Sequence, residues 1–209
     1  MKQETAGAAA LVLGSLAGIG LMMVHPSHGG GAPIVGHFTL NDLVHATALV
    51  ANPVLTFGFW TLTRALGARP LPVLAFSFFL FGAVAVLIAA TISGMVTPAA
   101  MAAAHSGVDS DVFAKVAHLS VWLNRGFANA HVALFSIAYA LYALAWPVRS
   151  LSGQAIRALG LFAGLGILVW QLSGTFRIDV HSMIVVVTSQ GLWVIAAAFA
   201  MTRGLETEK

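Results

Sequence analysis

Six long stretches of this chain carry hardly a charge, at roughly 6–24, 40–66, 71–96, 117–146, 154–173 and 181–202. About 20 apolar residues wound as a helix cross the hydrocarbon of a bilayer. The runs therefore predict an all-α, polytopic membrane bundle of about six transmembrane helices, a single integral membrane domain over residues 1–209. Composition agrees. Only 8% of the residues are charged, where a soluble domain carries about 25%. Such a chain cannot clothe a water-facing surface. The first run has the length of a signal peptide, but Glu4 spoils a basic leader and no clean A-x-A site follows. It reads as a retained helix.

The joints between runs have their own signals. Thr39 is placed to cap the second helix, with Asp42 in its first turn. Pro53 lies inside that helix and is expected to kink it. Arg69-Pro70-Leu71-Pro72 marks a tight connection, and Pro147 closes the fourth helix. Pro98 is expected to end or bend the third, leaving Ala99 to His105 as a short helix on the membrane surface.

Lysine and arginine set the orientation. One side of the predicted bundle carries Lys2, Arg64, Arg69, Arg149, Arg157, Arg203 and Lys209; the other carries Lys115, Arg125 and Arg177. The richer side is expected to face the cytoplasm, with both termini. The chain would then be a multi-pass protein of a bacterial-type inner membrane. The cations are scattered beside apolar runs, so the basic pI does not suggest nucleic acid.

This topology gathers the histidines. His25, His28, His37 and His45 fall within HPSHGGGAPIVGHFTLNDLVHA, and His105, His118 and His181 also fall toward the outer, periplasmic face. Only His131 is deeper. Counted from the cytoplasmic helix ends at about 1.5 Å per residue, His45 and His131 come to similar depths. Met22, Met23, Met95, Met101 and Met183 share the outer end, as do Asp42, Asp109, Asp111 and Asp179. The absence of cysteine removes disulfides, thiolate metal sites and covalent haem attachment. Imidazole and thioether together suit copper in an oxidising compartment. A single interfacial histidine is often an ordinary hydrogen-bonding group, and methionines in apolar helices mostly pack. Those readings do not explain why the set is so one-sided, and an ionisable group inside a membrane bundle points to a functional site.

Two cofactors are expected. Haem b needs helix-borne imidazoles, small neighbours and cations near its propionates. His45, His118, His131 and His181 are its candidate ligands, with Arg125 and Arg177 for the propionates. Copper, or zinc in its place, is expected at the loop and helix-end residues His25, His28, His37 and His105. In the fourth run Asp111, Lys115, His118, Trp122, Arg125 and Asn129 share one face. As one helix, residues 111–146 would extend about 54 Å, so it must project from the membrane or break, with Gly126 the expected break. Gln171, Thr188, Ser189 and Gln190 are expected to make interhelical hydrogen bonds.

The function expected is a membrane redox metalloprotein, working in electron transfer or in O₂- or NO-type chemistry at the periplasmic face. Its partners would be membrane lipid and an electron donor, a quinol or a periplasmic redox protein. An apolar bundle with short loops can also form a homodimer. The alternatives are a copper or divalent-metal transporter or acceptor, and a zinc-dependent membrane hydrolase with Asp42 or Asp179 as base.

Overall fold

The computed structural model describes residues 3–25, 34–35, 38–107 and 109–205. Its elements are helices α1 (Gln3–Val24), α2 (Leu40–Ala65), α3 (Pro70–Thr91), α4 (Thr97–His105), α5 (Ser110–Ala145), α6 (Leu151–Leu161), α7 (Ile167–Leu172) and α8 (Val180–Thr202). Two-residue strands β1 (Ile34–Val35) and β2 (Phe38–Thr39) pair antiparallel ahead of α2. Single π-helical turns, Ile92–Val96 and Phe162–Gly166, join α3 to α4 and α6 to α7. Six helical spans result, each long and apolar enough to cross a membrane.

The third span departs from expectation. Pro98 neither ends it nor sets a surface helix apart; residues Pro70–His105 form one 36-residue helix. The π turn makes this feasible. A proline has no N–H to give the carbonyl one turn back, and a wider i→i+5 turn just before it lets the helix pass through. Thr97 N–H bonds to Ile92 O, closing that turn. The partner span is equally long. Helix α5 runs unbroken over 36 residues, past Gly126. Gly126 faces open space, with nothing within 4 Å of where a Cβ would be, so no packing acts there to break the helix. The antiparallel pair α3–α4 and α5 thus forms a hairpin of about 54 Å. Thr97 Oγ1 and Ser120 Oγ meet across it at 2.7 Å.

The spans pack in sequence order around a ring, and α8 returns against α1. Arg64 donates to Gln3 Oε1 at 3.2 Å, so α1 starts beside the end of α2. We call this end, which also holds the end of α8, proximal, and the opposite end distal. Helices that cross a bilayer associate through close packing and interhelical hydrogen bonds. Both are present. A Cβ on Gly7 would strike Thr61, and one on Gly164 would strike the backbone of Ala140. Phe79 of α3 lies fully buried, stacked on Phe59 of α2 at 4.0 Å and on Phe135 of α5 at 4.6 Å. Trp193 of α8 meets Tyr139 edge-on at 5.2 Å and donates Nε1–H to Ile156 O at 3.0 Å. Thr63 gives its hydroxyl proton to Phe59 O, so the Tyr142 hydroxyl, 2.6 Å away, donates to Thr63 Oγ1.

Candidate metal centre

At the distal end His25, closing α1, and His45, in the second turn of α2, bring their rings to 5.2 Å between centroids at 70°. His45 is buried and His25 half-buried. His45 Nδ1 lies 2.8 Å from Asn41 O, one turn back in α2. A carbonyl only accepts, so Nδ1 carries the hydrogen, and a neutral ring keeps its lone pair on Nε2. Metal-binding histidines are commonly held this way, with one ring N–H on a carbonyl and the other nitrogen turned to the metal.

The π turn shapes this pocket. In an α-helix Ser93 O would take the N–H of Thr97; in a π turn it would take that of residue 98. Thr97 N–H goes to Ile92 O instead, and residue 98 is proline. Ser93 O is left without a helical donor, and Asn41 Nδ2 reaches it in a long bond of 3.5 Å. One residue on, a Cβ at Gly94 would run into Cβ and Cγ of His45. Asn41 and Gly94 therefore hold His45, and sequence reading singled out neither. Their signals were a proline five residues after Ser93 and an asparagine one turn before the histidine.

His131 is the other buried histidine among the described residues. Its Nδ1 lies 3.3 Å from Gly82 O on α3, and Phe135 meets its ring edge-on at 4.2 Å. Gly82 faces His131 and Gly94 faces His45, and these glycines are twelve residues apart in one continuous helix, about 18 Å. The structure does not bring His45 and His131 together; the expected similarity of depth fails because α2 and α5 start at different levels. His105, His118 and His181 are exposed. His105 Nδ1 lies 2.6 Å from Met101 O. His118 meets Trp122 edge-on at 6.2 Å, and the Arg125 guanidinium stands 5.6 Å over the same indole. Arg125 and Arg177 are exposed too. His28 and His37 lie outside the described residues.

Asp111 pairs with Lys115 at 2.7 Å, both largely exposed. Asp179 caps α8, accepting Ser182 N–H at 2.8 Å. That bond holds its carboxyl below the usual range, which makes it a poorer base for a hydrolase. Gln171 donates to Asn129 O at 2.9 Å and Gln190 to Ser136 Oγ at 3.3 Å, both between helices as expected. Ser189 bonds within its own helix, to Val186 O.

Among the described residues, no three His, Cys, Asp or Glu side chains converge on one point where a metal could be held. What the structure assembles is a pair, His25 and His45, at the two ends of the segment that carries His28 and His37. Two imidazoles of this kind fit copper or zinc. Comparison with protein families, with curated proteins and with solved structures finds no match.

Proposed function

We propose that the chain is a multi-pass inner-membrane protein, both termini cytoplasmic, that binds copper through His25 and His45 at its periplasmic end. The single observation that carries this is the contact of those two rings, one buried with its tautomer set by Asn41 O. The lysine and arginine bias toward the proximal end supports the orientation. His28 and His37, in the intervening segment, are the residues that would complete the ligand set. Bound copper would supply one-electron chemistry, and the protein would exchange electrons with a quinol or a periplasmic redox protein, or act on a small oxidant. His25 and His45 would bind and orient it, and the bundle would screen one side from water. Haem b is the weaker cofactor reading. With His45 and His131 about 18 Å apart along α3, a haem would rest on one of them alone. Transport of the metal is less favoured, because the proximal half is filled by stacked aromatic rings.

The test is metal stoichiometry. Protein purified in detergent is equilibrated with Cu(I) against a competing chelator and the bound metal is counted. The expected result is about one copper per chain, lost in His45→Ala and in His25→Ala. Equal retention by the double variant would sink the proposal. Zinc in place of copper would move the hydrolase reading ahead, and a Soret band would restore haem.

A further inference from the structure

At the proximal end a crevice of about 200 Å³ opens between the start of α6 and the end of α8. Trp146, Pro147, Ile156 and Phe199 give it an apolar floor, and Ser152 and Arg203 stand at its polar side. Among the described residues no carboxylate lines it. Arg149 is two residues from Pro147, and Arg157 adjoins Ile156. Its shape is set by local chemistry. Ser150 caps α6, accepting Gly153 N–H at 3.0 Å, and a Cβ on Gly153 would strike Pro147 O. Leu205 N–H bonds back to Ala200 O at 3.1 Å, which folds the chain end over α8 and leaves Arg203 exposed.

We infer that this crevice binds an anionic phospholipid, its phosphate against Arg203 and the head of an acyl chain on Trp146 and Phe199. An apolar floor with a cationic rim, at the level where helices leave the hydrocarbon, is complementary to an anionic amphiphile, and basic pockets between transmembrane helices recognise such headgroups. A zwitterionic lipid offers the same tails without the net charge. The inference rests on the chain being membrane-embedded and is independent of the histidine site.

The test is native mass spectrometry of the full chain released from mixed phosphatidylglycerol and phosphatidylcholine. Phosphatidylglycerol should be retained preferentially. Arg203→Gln should lower that preference about five-fold, the effect of one arginine near an anionic surface, while Arg203→Lys keeps it. Arg64→Gln, outside the crevice, should leave it unchanged. Equal retention of both lipids by the wild type would overturn the inference, as would an equal loss in Arg64→Gln, which would mean diffuse attraction. Displacement of the lipid by inorganic phosphate would reassign the site to a free anion. A chain ending at Leu205 that gains selectivity the full chain lacks would show that the acidic tail, Glu206 and Glu208, is the occupant instead. Recovery of the chain without detergent or lipid would fail the membrane reading itself, separately from these outcomes.

Discussion

At the proximal half, Phe79 lies between Phe59 and Phe135, and Trp193 is closed in by Tyr139 and Tyr142. At the distal end His105, His118 and His181 stand exposed, and the buried His45 touches a half-buried imidazole and a glycine. The first region is packed to hold helices together, as a bundle in lipid, without a hydrophobic drive, would require. Each aromatic pair there adds about 0.5–1.5 kcal/mol. The second gives up such packing and keeps lone pairs. The contrast predicts that stability and the proposed copper binding are separable: loss of the aromatic packing should leave binding standing.

The largest effect should come from Phe79→Ala. Unfolding in mixed micelles with sodium dodecyl sulfate should show a loss of about 3 kcal/mol, the low end for a buried phenylalanine, since apolar lipid replaces apolar protein. Copper stoichiometry should not change; if it falls with stability, the two regions are not separable. Gly94→Ala should strike the metal site. By forcing His45 and its helix aside it should weaken copper binding about 10- to 100-fold, the range for losing a group that orients a ligand, at an overpacking cost to unfolding of about 1–3 kcal/mol. Gly126→Ala, facing open space, is the matched control and should bind as wild type. Tyr142→Phe removes the donor to Thr63 and should cost about 1 kcal/mol, again without touching the metal.

The smallest effect concerns Asp179. Its carboxyl is held below the usual range in the folded chain by the Ser182 N–H. Its contribution is therefore full above the unfolded carboxylate's pKa and is lost as pH falls through the folded one. Asp179→Asn should flatten that part of the stability–pH profile. An unchanged profile would show that the cap bond contributes nothing.

The six spans were legible because apolar length is a local property. Predicted and observed ends agree closely at α8, 181–202 against Val180–Thr202, and at the start of α2. The distal gathering of His25, His45, His105, His118 and His181 followed from alternating helix direction. Two joints were misread. Pro98, expected to end or bend a helix, lies inside a continuous one, because a π turn absorbs the missing N–H and α5 gives the extended helix a partner along its length. Gly126 was expected to break α5, but nothing packs there to bend it.

The sequence by itself determined the membrane-length helices, their order and the chemistry available at each end, since these depend on composition and on position along a chain that reverses at each loop. Only the tertiary structure decided which imidazoles meet. That choice depends on the rotation and stagger of each helix, which no local pattern records. A methylene of difference, at Gly94 against His45, or a single orphaned carbonyl, at Ser93, is enough to set it. Stagger parted His45 from His131, and close approach at a glycine joined α2 to the π turn, where His25 and His45 now face each other.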